Sequence, residues 1–142
     1  MTDTLLLDTH ILLWLDSGSD RLRPTTRERI DACWRGGGTI LVSAVSVWEI
    51  AVLVDAGRIG LDLPVAAWIE RFATRPGIDI VPLGYPAAAQ AYQLHDLAHR
   101  DPGDRLLIAT AIERCCPLVT YDARIAAFAG TFGGQYGFAA VA

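Results

Sequence analysis

Short apolar runs alternate with longer segments of helical periodicity along this chain. The runs are rich in leucine, isoleucine and valine, which is typical of strands that are buried on both faces of a sheet. They cover Thr4–Asp8, Thr39–Val42, Ile78–Val81 and Leu118–Thr120. Phe138–Val141 is a candidate for a further strand at an edge of the sheet. Each run is too short to cross a membrane.

Seven segments between and after these runs carry the signals of helices. Proline or a capping residue stands at most of their starts, and glycine follows several of their ends. The predicted helices cover Thr9–Asp16, Thr25–Arg35, Ser43 or Ser46 to about Ala56, Pro64–Thr74, Pro86–His95, Asp101–Cys115 and Asp122–Phe128. This alternation predicts an α/β fold with three layers, α/β/α, around a short, mainly parallel sheet. Because no linker or repeat interrupts it, residues 1–142 are predicted to form a single domain.

Four carboxylates lie inside or beside the apolar segments, where an ionised side chain is costly unless it is paired or binds a metal. Asp8 and Asp122 come at or after strand ends, whereas Glu49 and Asp104 lie in the first turns of two helices. In an open parallel sheet, ligands bind beyond the carboxyl ends of the strands. We therefore expect the four acids at one crevice, where acids without a basic partner predict a divalent cation.

Each of these acids also has a structural alternative. Asp8 and Asp122 can each cap the helix that follows. In the segment Asp101-Pro102-Gly103-Asp104, one acid can cap the helix while the other faces the crevice. The spacing alone leaves open which acid does which.

Composition narrows the chemistry further. All twelve basic residues are arginine, and the formal net charge is −4. A catalytic lysine is thereby excluded, and nucleic acid would have to be held by local arginine contacts rather than by bulk charge. Arg100 and Arg105 flank the start of the acidic helix and are the predicted phosphate contacts. Thr9 and Thr120 stand beside two of the acids and are predicted to support them.

The segments around these acids resemble the motifs of PIN-domain proteins, within the branch of bacterial VapC-type toxins. The matching segments, in chain order, are Leu6–Trp14, Ser46–Ile50, Asp101–Ala111 and Leu118–Asp122. Two positions depart from the pattern. His10 stands where many PIN domains have asparagine, and Gly103 stands where an aromatic residue is common in this branch.

The resemblance implies a PIN-like fold and a Mg²⁺- or Mn²⁺-dependent endoribonuclease that acts as the toxin of a toxin–antitoxin pair. The family's acidic positions carry over to Asp8, Glu49, Asp104 and Asp122, with Asp101 as a nearby support. The resemblance also implies three partners: an RNA substrate, a cognate antitoxin protein and a second copy of the chain in a homodimer. The start of the chain lacks the basic region of a signal peptide, so we expect a cytoplasmic protein without membrane contact.

Two other interpretations of the sequence are open. A non-catalytic PIN-like module would bind RNA or a protein without cleaving it, and the loss of one acid would indicate such a module. A phosphoryl-transfer domain of the receiver or haloacid-phosphatase type would also place an aspartate at a strand end. Both of those families rely on a lysine near the pocket, and this chain has none.

Overall fold

The computed structural model describes residues 3–142, in which five strands form one parallel sheet in the order β3-β2-β1-β4-β5. The strands are β1 Thr4–Leu7, β2 Thr39–Ser43, β3 Ile78–Val81, β4 Leu118–Val119 and β5 Ala140–Val141. The chain builds outward from β1 to β3 and then returns to add β4 and β5 on the other side of β1. The point of reversal, between β1 and β4, is where a ligand crevice is expected.

The helices are α1 Thr9–Ser17, α2 Pro24–Arg35, α3 Ala44–Asp55, α4 Val65–Ala73, α5 Tyr85–Gln90, α6 Pro102–Glu113 and α7 Ala123–Tyr136. They cover both faces of the sheet. Strand β1 shows this most simply, because Leu6 belongs to one apolar cluster while Leu5 and Leu7 belong to the other. The predicted three-layer arrangement is therefore confirmed. Among residues 3–142, every helix falls short of the length and apolar character that crossing a membrane requires.

Two helices differ clearly from their predicted extent. Helix α5 ends at Gln90 rather than His95, because carbonyl oxygens beyond it accept hydrogen bonds from the side chain of Arg105 instead of from helical amides. Helix α7 continues to Tyr136, about two turns beyond its predicted end at Phe128. Aromatic packing carries it onward, since the Phe128 ring lies 5.4 Å from the Tyr136 ring between centroids.

The register of the strands sets the position of the first acid. Leu7 pairs with Val119, and the backbone N–H of Asp8 donates to the Val119 carbonyl at 3.0 Å. Asp8 thus leaves β1 level with Thr120, directly after β4. Ser43 ends the neighbouring strand β2 and caps α3, which brings that helix to the same edge of the sheet.

Candidate functional site

Asp8 is 4% exposed and lies at the floor of a cleft beyond the carboxyl ends of β1 and β4. Its Oδ1 accepts a hydrogen bond from the backbone N–H of Thr9 at 2.7 Å, so it caps α1. Its Oδ2 accepts a hydrogen bond from the Thr120 hydroxyl, also at 2.7 Å. Capping and a place in the cleft are therefore compatible, because each carboxylate oxygen has a separate donor.

Glu49 reaches the same cleft from the second turn of α3. Its Oε1 accepts a hydrogen bond from the Thr9 hydroxyl at 2.7 Å, and the Ser46 hydroxyl lies 2.9 Å from that Thr9 oxygen. Burial raises the pKa of Glu49, the Thr9 hydrogen bond lowers it, and the negative charge of Asp8 raises it further. The net result is a carboxyl group that ionises less readily than an exposed glutamate.

Gly103 makes room for Glu49. A Cβ atom added at residue 103 would lie 2.5 Å from Oε2 of Glu49, closer than real Cβ contacts allow. The absence of a side chain there lets the start of α6 approach the Glu49 carboxylate. The departure at residue 103 from the resembled pattern thus has a physical role in this chain.

Asp101 and Asp104 divide the two roles that the sequence left open. Asp101 is the N-cap of α6, and its Oδ2 accepts a hydrogen bond from the backbone N–H of Asp104 at 3.0 Å. The Asp104 side chain turns inward, is 16% exposed, and lies 3.1 Å from Nε2 of His99. Asp104 is therefore the more deeply placed of the two acids.

The electrostatics of Asp104 are the most perturbed in the cleft. Burial is the largest cause, and together with negative charge on four neighbouring acids it raises the pKa of Asp104 to about 7. Those acids are Asp8, Asp101, Asp122 and Glu49. Burial conversely lowers the pKa of His99. At neutral pH the Asp104–His99 pair is thus poised between a protonated and an ionised carboxyl group, which is typical of functional sites.

Asp122 stands at the rim and caps α7. Its Oδ1 accepts hydrogen bonds from the backbone N–H groups of Arg124 at 2.8 Å and Ile125 at 3.2 Å. Burial opposes ionisation, but these hydrogen bonds and the Arg124 guanidinium, 3.4 Å away, outweigh it and lower the pKa of Asp122. Asp122 is linked to the cleft through Thr120, whose hydroxyl accepts a hydrogen bond from the Asp122 N–H at 3.0 Å.

His10 forms a wall of the cleft. Its Nε2 accepts a hydrogen bond from the backbone N–H of Tyr121 at 3.0 Å, so a neutral ring carries its proton on Nδ1. That Nδ1 lies 3.7 Å from Oδ2 of Asp8. The ring also packs against Trp14, with centroids 5.2 Å apart. A histidine therefore lies beside the first acid, at the position where many PIN domains have asparagine.

The predicted phosphate contact by Arg105 is wrong. Arg105 is 2% exposed, and its guanidinium donates to the carbonyl oxygens of His99, Ala91, Leu94 and Leu97. A buried guanidinium with these acceptors has no free face to offer a phosphate. Arg100 is exposed, and its guanidinium lies 4.9 Å from the centre of the Tyr92 ring.

One residue of the site, His99, is not among those predicted from the sequence. His99 contacts Asp104 directly. Its place just before the Asp101-Pro102 helix start was the available signal. The contact depends on the path of the loop between α5 and α6, which has no periodicity to predict it.

The cleft has a volume of about 400 Å³, and four acids line it: Asp8, Glu49, Asp101 and Asp104. Their oxygens are the hard donors that Mg²⁺ and Mn²⁺ prefer. Within residues 3–142, however, no three side chains of the metal-binding types stand close enough together to hold an ion. Separate hydrogen bonds to Thr9, Thr120 and His99 keep the carboxylates apart. The donor chemistry and the concentrated negative charge thus fit a divalent cation that would draw these side chains together.

Comparison with known proteins gives consistent results. A family model described as the PIN domain matches residues 5–131. Ribonuclease VapC22 of Mycobacterium tuberculosis is 34% identical over 122 residues, which are 86% of this chain and 89% of that protein.

Two solved structures share the fold. One is the structure of VapBC2 from Rickettsia felis bound to a DNA fragment from the VapBC2 promoter. It superposes with a TM-score of 0.67 at 12% sequence identity, and the alignment covers 97% of both chains. A toxin–antitoxin complex from Klebsiella pneumoniae superposes with a TM-score of 0.58 at 20% identity and covers 94% of both. At sequence identities this low, the similarity shows a shared fold and nothing further.

Proposed function

This chain belongs to the PIN domain family, and we propose that it is a metal-dependent endoribonuclease that acts in the cytoplasm as the toxin of a toxin–antitoxin pair. The observation that carries the proposal is the cleft at the reversal point of the sheet, which is lined by Asp8 after β1, Glu49 on α3 and Asp104 on α6. The similarity to Ribonuclease VapC22 supports RNA as the substrate. The chemistry we propose is hydrolysis of an RNA phosphodiester.

We assign the divalent cation to Asp8, Glu49, Asp104 and Asp122. The raised pKa values of Asp104 and Glu49 support this assignment, because uncompensated negative charge in a half-buried cleft favours a cation. When bound, Mg²⁺ or Mn²⁺ supplies positive charge that activates the phosphodiester toward attack and stabilises the leaving oxygen.

The residues around the acids do the positioning. Thr9 holds Glu49, and Thr120 holds Asp8, each through a hydrogen bond of 2.7 Å. His99 contacts Asp104 and keeps it turned inward. Such prior orientation matters because catalysis by charge requires groups that do not reorganise during the reaction. Attack by water on the phosphorus with cleavage of the P–O3′ bond leaves a 5′-phosphate and a 3′-hydroxyl, so products with only 2′,3′-cyclic phosphates would contradict the proposal.

The decisive experiment is cleavage of a mixed, structured RNA by purified protein with Mg²⁺, Mn²⁺ or EDTA. Asp104→Asn is the test variant. Asp79→Asn is the control, because Asp79 is exposed on β3, two strands away from β1. We expect metal-dependent fragments from wild type and from the control, and none from Asp104→Asn. Cleavage that survives in EDTA, or that Asp104→Asn retains, would refute the assignment.

The alternative function is a PIN-like module that binds RNA or a protein without cleaving it. One observation favours it, namely that the acids do not stand within chelating distance of one another in residues 3–142. Asp8→Asn separates the two functions. A nuclease loses cleavage and keeps RNA binding, whereas a folded wild-type protein that binds RNA but never cuts it in any divalent ion is a binding module.

We further propose a cognate antitoxin and a homodimer. The structural likeness to two toxin–antitoxin assemblies supports the first partner. Trp48 and Val52 are 59% and 48% exposed and line the acidic cleft, so an antitoxin segment can combine apolar contacts with an arginine that competes for the carboxylates. Trp48→Ala should weaken inhibition by the antitoxin. A monomer that stays stable at high concentration in gel filtration would refute the homodimer.

A further inference from the structure

A second cavity adjoins the acidic cleft. It has a volume of about 510 Å³ and lies between α7 and the loop that connects α5 to α6. It begins at His99, whose ring contacts Asp104, and at Arg124, whose guanidinium lies 3.4 Å from Asp122. Asp104 and Asp122, two of the acids assigned to the cation, are therefore in contact with residues that line this cavity.

Helix α7 forms one wall of this cavity with a stripe of side chains at helical spacing. Arg124, Phe128 and Phe132 follow one another at intervals of four residues, and all three line the cavity. Within this stripe the Phe128 side chain is buried, whereas the Phe132 side chain is partly exposed. From Arg124 to Phe132 the helix rises by about 12 Å, at 1.5 Å per residue. The stripe thus leads from a cation beside the acids to an aromatic ring farther away.

The charges of the cavity are opposite at its two ends. Arg124 lies at the end next to the acids, and its side chain is 63% exposed. Asp96 lines the other end, where its carboxylate accepts a hydrogen bond from the Tyr136 hydroxyl at 2.6 Å. An anion is therefore favoured near Arg124 and disfavoured at the far end, where ring faces and a hydrogen-bond acceptor are available instead.

Arg124 is free to turn toward a ligand. Its contact with Asp122 is long, and the Asp122 carboxylate keeps two backbone donors when the guanidinium leaves. Arg105, by contrast, is committed to backbone carbonyls. An accessible guanidinium thus stands on α7 beside Asp122.

We propose that this cavity is a nucleotide subsite of the RNA substrate. Arg124 contacts the phosphate next to the scissile bond, and Phe132 stacks on the base of that nucleotide, whose edge faces Thr131 and Asp96. Single-stranded RNA supplies such an unstacked base, and sequence-tolerant stacking on aromatic rings is how proteins commonly hold it. The inference rests on the proposed endoribonuclease function and adds a binding site for the strand beside the cut.

Photo-crosslinking tests the location directly. Asp8→Asn protein, which should bind without cutting, is irradiated with single-stranded RNA that contains 4-thiouridine and is then digested with trypsin. Because the chain has no lysine and Arg124 is its last arginine, residues 125–142 form one peptide that contains both Phe128 and Phe132. We expect a nucleotide on that peptide, and its loss in the same protein carrying Phe132→Leu, which retains apolar packing.

Kinetics test the two contacts separately. Arg124→Gln should raise KM about tenfold or more. Phe132→Leu should raise KM about fivefold or more, while its kcat and Mg²⁺ dependence stay close to wild type. The controls are Arg114→Gln, at the far end of α6, and Tyr85→Leu, whose ring is 86% exposed on α5. Both controls should keep the wild-type KM.

The outcomes separate the two proposals. If wild type cleaves RNA but residues 125–142 stay unlabelled, or if both variants keep the wild-type KM, the subsite is refuted while the nuclease stands. If wild type cleaves no RNA in any divalent ion, the nuclease and its subsite are both refuted.

Discussion

Removing the Arg105 guanidinium should destabilise the folded protein far more than removing an exposed arginine. Its Nε donates to the His99 carbonyl, its Nη1 to those of Ala91 and Leu94, and its Nη2 to that of Leu97, at distances from 2.6 to 3.4 Å. One side chain therefore organises the whole loop between α5 and α6. That loop in turn carries a wall of the second cavity and the histidine that contacts Asp104.

The expected loss follows from the groups left behind. Arg105→Met retains the length and apolar packing of the side chain but removes a donor from four carbonyl oxygens, of which the Leu94 oxygen keeps a hydrogen bond from the Leu97 N–H. An unsatisfied buried polar group costs about 1–3 kcal/mol. Relaxation of the loop and entry of water offset part of the sum, so we expect about 3–5 kcal/mol, as for other broken buried charge networks. The total stability of a domain is only about 5–15 kcal/mol.

Urea unfolding followed by tryptophan fluorescence measures this loss. Arg114→Met is the control, because Arg114 is exposed at the end of α6, and it should change the free energy of unfolding by less than about 0.5 kcal/mol. In thermal unfolding, Arg105→Met should lower Tm by about 9–15 °C, at roughly 3 °C per kcal/mol for a chain of this size. A variant within about 1 kcal/mol of wild type that binds RNA poorly would refute the reasoning and restore a phosphate contact.

Three further results are expected. Because the pKa of Asp104 is raised to about 7 in the folded protein, the folded state binds that proton more tightly than the unfolded state, and the free energy of unfolding in EDTA should fall as pH rises from about 4 to about 7. Asp104→Asn should remove this fall and be more stable than wild type at pH 8. If urea unfolding of Asp104→Asn shows the same pH profile as wild type, the assignment of this pKa to Asp104 is contradicted. Mg²⁺ or Mn²⁺ at about 100 times its Kd should stabilise wild type by about 2.7 kcal/mol at pH 8, as measured by Tm, and Asp104→Asn far less. Gly103→Ala should push the Glu49 carboxylate aside and lower kcat about tenfold or more. Gly60→Ala is the control and should leave kcat unchanged, because a Cβ atom at residue 60 has open space around it. Full activity in Gly103→Ala would show that Glu49 adapts without loss.

The elements that the sequence predicted best are those that a single local pattern decides. Strand β3 has the predicted bounds, Ile78–Val81, because it is a short apolar run between turn signals. Helix α7 was predicted to end at Phe128, whereas it ends at Tyr136. Its last two turns exist because rings from the helix pack on one another and on Phe138, which is a tertiary effect that no local pattern contains.

The site shows the same division. Placing Asp8, Glu49 and Asp104 at one crevice required only the rule that parallel strands direct their carboxyl ends to one edge of the sheet. The contact of His99 with Asp104 and the burial of Arg105 required the path of the loop between α5 and α6. That path is set by side-chain hydrogen bonds to carbonyl oxygens rather than by hydrophobic periodicity, so the sequence did not reveal it.

The hydrogen bond between Thr120 and Asp8 joins residues 112 positions apart. Ribosomes synthesise the chain from its N-terminus at roughly 5–20 residues per second. Several seconds therefore pass between the synthesis of Asp8 and that of β4. A nascent chain, or one cut short by a premature stop codon before β4, carries Asp8 without that support. The strand order thus makes the support of the first acid one of the last contacts that synthesis of the chain allows.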